Sequence, residues 1–365
     1  MPRHTASVLG TLNHTSPFQK KLLLWFSKHK RPLPWRLKAD PYRIFVVEVM
    51  LQQTQIKTVI PYYERWLKAF PNVHSLARAP LDRVLKLWEG LGYYTRARNL
   101  HKTAIQIVEN FGGELPSDPE LLRTLPGIGK YTAGAIASIA FQKPVPLVDG
   151  NVARVLSRLF NLKEDISKPA TQDKLYELAT SVISHKDPGA FNQALMELGS
   201  LVCIPEAPRC AICPVRSFCL AFQNGDPSSL PTRSKGPEVK KIKMAVGILT
   251  NQNKLLVRKR PERGIWGGLW EIPGTVCAKN QTPEEALKQE FQETLGIRLR
   301  IQKKMLPLEH RFTHREALIY PFRCVSAVNG KKKILSSGSR WANRASLKSL
   351  SFPVPHQKIL KELWT

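Results

Sequence analysis

Two carboxylates frame the chemistry open to this chain. Glu48 lies in Ile44-Phe-Val-Val-Glu-Val-Met-Leu51, a stretch apolar on every side, which reads as a buried helix. Burial raises a carboxyl pKa and keeps a proton available near neutrality, the preparation a general acid needs. The plain alternative is a core glutamate paired with an arginine. Asp149 heads the triplet Asp149-Gly150-Asn151 at the start of another helix, either as an N-cap or as an ionised carboxylate beside polar Asn151. One protonated and one ionised carboxyl together form an acid and a fixed negative charge, two roles set by two environments.

Five further groups carry possible chemistry. Cys203, Cys210, Cys213 and Cys219 are spaced C-x6-C-x2-C-x5-C, a metal pattern in which four thiolates suit zinc or an iron–sulfur cluster alike. Leu125-Pro-Gly-Ile-Gly-Lys130 is a tight turn into a small-residue helix. Gly127 and Gly129 there are expected at positive φ, leaving amides bare for a phosphate, with the charge of Lys130 beside them; an ordinary helix–turn–helix corner is the other reading. Gly90-Leu-Gly-Tyr-Tyr-Thr-Arg-Ala-Arg98 presents an aromatic pair that either wedges between stacked bases or packs inward. The loop Arg31-Pro-Leu-Pro-Trp-Arg36 suits stacking on a base and pairing with phosphate, or is a Pro-rich connector. Gln52 and Gln53 either bond base edges or cap a helix end.

Helices must position these groups. Ser16-Pro17 opens one, with Phe18, Leu22, Trp25 and Phe26 as its apolar face. Residues 41–70 read as helix broken near Pro61, and Ser117 with Glu120 reads as a capping box. The small-residue helix runs to about Phe141, and residues 171–201 are helical. Residues 221–241 are polar and rich in Pro, Gly and Ser, a linker. Beyond them the pattern becomes mixed α+β. Strands at 244–250 and 255–259 flank Asn251-Gln252-Asn253, more strand follows near 318–325, Thr282-Pro283 with Glu285 opens a helix ending at Gly296, and a last helix spans about 356–363.

The 365 residues carry 56 Lys and Arg against 28 Asp and Glu, a net charge of +28 that favours a polyanionic partner, nucleic acid first. No apolar run reaches the length of a membrane span, and the first residues have no signal-peptide core. An intracellular, cytoplasmic and DNA-associated protein with reduced cysteines is expected, with no membrane partner and as a monomer.

In this order, Glu48-Val-Met-Leu-Gln-Gln-Thr54, Trp88-Glu-Gly-Leu-Gly-Tyr-Tyr94, Leu125-Pro-Gly-Ile-Gly-Lys-Tyr-Thr132, Val148-Asp-Gly-Asn-Val152 and the four cysteines resemble the helix-hairpin-helix glycosylase superfamily, in particular its MutY adenine DNA glycosylase branch, over nearly the whole chain from about Ser16. The resemblance implies a multidomain chain: an all-α catalytic region over 1–222 and a MutT/Nudix-like α+β domain over 242–365, joined by a linker at 223–241. Within the catalytic region it implies a six-helix hairpin-containing domain at about 36–142 and a cluster-containing domain built from 1–35 and 143–222. The implied activity is removal, by base flipping, of adenine mispaired with 8-oxoguanine or guanine in double-stranded DNA. Glu48 then protonates the base and Asp149, with Asn151 beside it, faces the cationic sugar, through a transient covalent adduct. Bifunctional members of the family carry an attacking lysine at position 131; Tyr131 cannot form that imine, so a monofunctional enzyme leaving an abasic site is predicted. By the same resemblance Arg31, Trp35, Arg36, Leu51 and Gln193 form the adenine pocket. Gln53 and Tyr93 intrude into the stack, and Gly127, Gly129 and Lys130 hold the backbone. The four cysteines hold a 4Fe–4S cluster.

In the C-terminal domain, Phe312-Thr313-His314 matches the loop that recognises 8-oxoguanine, with Thr313 in place of a usual serine. Its Nudix helix keeps Glu290 and Glu293. Gln289 stands for a usual arginine, Thr294 and Gln281 for usual glutamates, which argues for binding rather than hydrolysis. The rivals are an endonuclease III-like pyrimidine glycosylase/lyase, a nucleotide hydrolase, and a non-catalytic DNA-binding protein with a structural metal. The sequence leaves open the preference between 8-oxoguanine:A and G:A, and any protein partner.

Overall fold

The computed structural model describes residues 17–234, 236, 238–262, 264–312, 315–327 and 338–363; Ser16, Thr313 and His314 lie outside the described residues. The chain divides into two compact units, Met1–Arg78 with Asn99–Lys235, and Ala79–Arg98 with Gly236–Thr365.

Among its described residues the first unit is helical. Helix α1 (Pro17–His29) buries Phe18, Gln19, Leu22 and Phe26. Trp25, expected on that face, is half-buried; the buried polar residue is Gln19, whose amide donates to the carbonyls of Val182 and Ile183 at 3.1 and 3.2 Å and so satisfies a helix end. Asp40 caps α2 (Pro41–Leu51) through the Arg43 N–H, and α3 spans Ile56–Ala69. The break expected near Pro61 falls instead at residues 52–55, where Gln53 adopts φ 57°. Pro61 sits inside α3, a helix whose buried Val59, Tyr63 and Trp66 outweigh the lost hydrogen bond.

Short α4 (Val73–Ala77) and α5 (Leu81–Trp88) precede α6 (Thr95–Asn110) and α7 (Pro119–Thr124). The cap of α7 is Asp118, not Ser117: Pro119 is its first residue, so the accepting side chain is the one just before it. Next come α8 (Lys130–Ala135), continued by a π-turn over Ile136–Ala140, and α9 (Gly150–Leu159). The helical region expected at 171–201 is two helices, α10 (Pro169–Val182) and α11 (Pro188–Leu201), each opened by a proline; α12 (Leu220–Gln223) follows. No helix among the described residues is long and apolar enough to cross a membrane.

The second unit is built on a sheet. Strands β1 (Lys240–Asn251) and β2 (Lys254–Lys259) are joined through Gln252 and Asn253, both at positive φ, the geometry a tight hairpin demands. Strands β3 (Trp270–Glu271) and β4 (Gly274–Val276) lead to α13 (Pro283–Leu295), which has the expected Thr282/Glu285 capping box and ends at left-handed Gly296. Strands β5 (Leu299–Lys304), β6 (Leu308–Arg311), β7 (Arg315–Ser326) and β8 (Ser339–Ala342) complete the sheet, and α14 (Arg344–Ser349) and α15 (Val354–Leu363) follow. The order is β3-β2-β1-β7-β5, with β1 and β7 parallel. One face packs Leu287, Phe291 and Leu295 of α13; the other packs Leu347, Leu350, Phe352 and Ile359. Residues 79–98 join this unit through polar ties: Lys86 Nζ donates to the Leu350 carbonyl at 2.9 Å, and the Phe352 N–H to Glu89 at 2.8 Å.

Candidate active site

A cavity of ≈ 540 Å³ opens in the first unit, lined by residues from five helices, the 31–36 loop and the turn at 52–54. From α2 comes Glu48, 4% exposed, in the apolar run that the sequence marked. From α8 comes Tyr131, whose hydroxyl donates to Glu48 Oε2 at 2.7 Å. From the start of α9 comes Asp149, which accepts from the Val152 N–H at 2.7 Å and from Asn151 Nδ2 at 2.9 Å. It is thus both the N-cap of α9 and a wall of the cavity. Asn151 is fixed in turn by Arg154 Nη2 on its Oδ1 at 2.9 Å. Gly199 of α11 allows this approach, since a Cβ there would lie 2.7 Å from Asn151 Cβ.

Burial drives the Glu48 carboxyl up to about 7; the Tyr131 hydrogen bond pulls it back, and the charge of Asp149 raises it. Burial also raises Asp149, against the Val152 and Asn151 donors that favour its charge. Glu48, with one donor, is therefore the group that keeps a proton near neutrality. Asp149 has more donors and a nearby arginine.

Arg31, Trp35, Arg36, Leu51, Gln53 and Gln193 line the same cavity. Sequence reasoning missed what holds them. Glu197, 1% exposed, accepts from the Arg31 N–H, Nε and Nη2 and from both Nη atoms of Arg36, at 2.8–3.2 Å. Burial pushes Glu197 upward, but these donors prevail and set it at about 2. Arg36 Nε reaches Gln193 Oε1 at 3.1 Å. Gln193, Met196, Glu197 and Ser200 all line the cavity at helical spacing along α11, a face that periodicity reveals once one member is chosen.

The remaining candidates lie elsewhere. In the hairpin turn Gly127 takes φ 78°, but Gly129 does not share it: at φ −90° it is the N-cap of α8. Both glycines are exposed, and Lys130 places its Nζ 3.8 Å from the centre of the Tyr176 ring. In the second unit Tyr93 is 44% exposed at φ 49°, whereas Tyr94, Arg96 and Arg98 are buried, so the pair presents one aromatic rather than two. Phe312 is half-buried.

Cys203, Cys210, Cys213 and Cys219 line one small hollow together with Arg158. Arg158 Nη1 contacts Cys203 Sγ at 3.4 Å, and Cys219 Sγ the Arg158 carbonyl at 3.4 Å. Among the described residues no three His, Cys, Asp or Glu side chains converge on a position for one metal ion. Four thiols face one hollow with a cation against them, a donor set that suits zinc or an iron–sulfur cluster. Burial holds the Cys213 thiol at about 12 and raises Cys210 and Cys219, so all three keep their protons until a metal displaces them.

Arg258 of β2 donates to Glu290 of α13 at 2.7 Å and to Glu271 of β3 at 2.9 Å, and on α13 Gln289 bridges Gln281 and Glu293. The surviving glutamates are thus already engaged by protein groups.

Residues 46–180 match the family of HhH-GPD superfamily base excision DNA repair proteins, and residues 245–362 match the NUDIX domain. The chain is 36% identical over 384 residues to adenine DNA glycosylase of Mus musculus, covering 89% of this chain and 73% of that protein. It is 34% identical to adenine DNA glycosylase of Homo sapiens, covering 94% and 73%. Against adenine DNA glycosylase of Buchnera aphidicola subsp. Baizongia pistaciae it is 33% identical, over 96% of this chain and 97% of that one. The solved structure of a thermostable thymine-DNA glycosylase superposes with a TM-score of 0.53 at 25% identity, over 60% of this chain and 99% of that one.

Proposed function

The chain belongs to the adenine DNA glycosylase family, and from that premise we propose a role for each group in the cavity of the first unit. The protein is a base-excision-repair glycosylase that removes adenine from DNA, built from a mostly helical HhH-GPD domain and a C-terminal Nudix-like domain. Adenine leaves poorly as an anion. Glu48 donates its proton to a ring nitrogen, so that the base departs neutral with the electrons of the C1′–N bond. Ionised Asp149, oriented by Asn151, faces the cationic C1′ until water completes hydrolysis. Arg31, Trp35, Arg36, Leu51 and Gln193 receive the flipped base, while Gln53 and Tyr93 fill the stack behind it. The amides at Gly127 and Gly129, with Lys130, hold the backbone. The observation that carries this reading is that Glu48 and Asp149 line one cavity while Tyr131, not a lysine, contacts Glu48. The product is an abasic site on an uncut strand.

The base opposite is 8-oxoguanine or guanine, read by the 242–365 domain through Phe312, Thr313 and His314. Residues 1–222 carry catalysis and 223–241 are the linker. Cys203, Cys210, Cys213 and Cys219 hold a 4Fe–4S cluster that stiffens the basic loops carrying Arg209 and Arg216. The protein works as a monomer on DNA.

A duplex with adenine opposite 8-oxoguanine, incubated with enzyme and then treated with hot alkali, tests this. Adenine-strand cleavage should appear only after alkali. Cleavage without alkali, with a borohydride-trapped adduct, refutes the monofunctional assignment. Broad visible absorption of the purified protein distinguishes a cluster from colourless zinc.

A further inference from the structure

The second unit holds a cavity of ≈ 510 Å³ whose walls include Tyr93, Trp266, His310, Phe312 and Arg315. Trp266 is the unusual member. It is a bulky residue at φ 56°, a left-handed conformation that is strained for such a side chain and persists only where its surroundings enforce it.

Those surroundings are a loop closed by many hydrogen bonds. The Gly268 N–H donates to the Pro261 carbonyl at 3.0 Å and the Gly267 N–H to Gly264 at 3.3 Å. Arg260 Nε donates to the Ile265 carbonyl at 2.9 Å, and the buried guanidinium of Arg98 donates to the Gly267 carbonyl. A Cβ on Gly267 would lie 2.1 Å from the Glu262 carbonyl oxygen, so only glycine closes the loop.

The indole so held meets three rings: Phe312 at 5.1 Å, His310 at 6.0 Å and His356 at 5.5 Å, the last edge-on at 87°. His356 is 1% exposed, and its Nδ1 accepts the Ile272 N–H at 3.1 Å. That acceptor role puts the proton of the neutral ring on Nε2, which has no hydrogen-bond partner among the described residues. The T-shaped contact gives the buried imidazole an aromatic face to rest against. Trp266 therefore has a fixed floor, and the two other rings it meets, Phe312 and His310, line the cavity with it.

We propose that Trp266 is a positioning residue for recognition of the base opposite the excised adenine: the strained loop and His356 hold its indole, and the indole sets the angle of the Phe312 ring. The inference rests on the reading of Phe312 given under Proposed function. An aromatic pair contributes beyond its buried area, and losing it changes a binding ratio by up to about tenfold. A ring that merely filled the core would be replaceable by an aliphatic side chain without change in that ratio.

The test uses the full-length protein and two duplexes, adenine opposite 8-oxoguanine and adenine opposite guanine. Single-turnover rates are measured across enzyme concentration for wild type, Phe312→Ala, Trp266→Leu and Trp266→Phe. Phe312→Ala should lower the preference for 8-oxoguanine; no change overturns the reading of Phe312 itself. With that effect present, Trp266→Leu should lower the preference by up to about tenfold, chiefly in the half-saturating concentration for the 8-oxoguanine duplex, and Trp266→Phe should restore most of it. A wild-type preference in Trp266→Leu, or a loss in Trp266→Phe as large as in Trp266→Leu, overturns the inference. Should Trp266→Leu fail to fold, Trp266→Met alone and combined with Phe312→Ala decides: Trp266→Met must lower the preference by itself and add nothing to Phe312→Ala, and no loss by itself, or losses that add, overturns the coupling.

Discussion

Glu48 and Glu197 line the same cavity and are 4% and 1% exposed, yet burial leaves them in opposite states. Glu48 has one neutral donor, Tyr131, and the charge of Asp149 raises it further; its carboxyl rises to about 7. Glu197 is gripped by two guanidinium groups and a backbone N–H, and falls to about 2. The lesson is that burial alone does not decide protonation. The placement of cations does, and here both arginines are clamped on the α11 wall. A proton is kept on one side of the cavity, and a fixed ion pair shapes the other.

The comparison breaks most sharply at position 48. Glu48→Gln keeps the shape and burial but removes the transferable proton. Excision should fall by about 10²–10⁴-fold, the range for a lost general acid, while duplex affinity is retained. Single-turnover assays beside a binding titration measure both. A variant cutting at the wild-type rate would make the contrast between the two glutamates irrelevant to catalysis.

Glu197→Ala attacks the other wall. Removing one partner of a buried ion pair costs about 3–5 kcal/mol, so urea unfolding should show a loss of that order at pH 7. The wild-type contribution has the sign of a depressed carboxyl: it is present above the ordinary carboxyl pKa and lost as pH falls through about 2. A loss below about 1 kcal/mol would mean that the two arginines were already solvated.

The opposite sign is expected at Glu48. A carboxyl raised to about 7 stabilises the fold only while protonated. That contribution is whole below the ordinary carboxyl pKa and is lost as pH rises through about 7. Between pH 5 and pH 9 the stability of wild type should therefore fall by up to ~3 kcal/mol relative to Glu48→Gln, which does not titrate. Parallel denaturation curves across that range would remove the contrast.

How much of this was legible in the sequence depends on how local each signal is. The Thr282/Glu285 box, the stop at Gly296 and the Asp149 cap each involve residues within one turn, and all appear where the sequence put them. The cap of α7 was misread although Pro119 pointed to Asp118. The helix break was assigned to Pro61 because proline is the stronger local breaker; the left-handed turn at Gln53 carries no glycine to announce it. Burial of Glu48 could be read from its neighbours, since a run apolar on all sides has nowhere else to go. The Glu197 clamp could not: its arginines lie 161 and 166 residues away in sequence, and only the packing of α11 against the 31–36 loop brings them together.

Tyr131→Phe sharpens the comparison by removing the one donor on Glu48. That hydrogen bond favours the carboxylate, so its loss raises Glu48 further. The alkaline limb of excision, where rate falls as Glu48 ionises through about 7, should move up by about one pH unit. An unmoved limb would assign the titration to another group, and a limb moved down would reverse the sign of the Tyr131 contact.

The smallest effect is expected where a third carboxylate set meets cations. In the second unit Arg258 lies against Glu271 and Glu290, and Arg260 also reaches Glu271, much as Arg31 and Arg36 grip Glu197. Thr294 donates to Glu290, and Gln289 to Glu293. A hydrated Mg²⁺ needs free carboxylate oxygens, and here a guanidinium already answers the charge. Millimolar Mg²⁺ should therefore leave the thermal midpoint of the wild-type protein unchanged within about 1 °C and elicit no nucleoside triphosphate hydrolysis. Arg258→Met frees Glu271 and Glu290 from that guanidinium, so any Mg²⁺-dependent rise in midpoint should appear in this variant and not in wild type. A rise in wild type would mean that the arginine yields to the metal, and the second unit would then follow the logic of Glu48, an acid awaiting its partner, rather than that of Glu197.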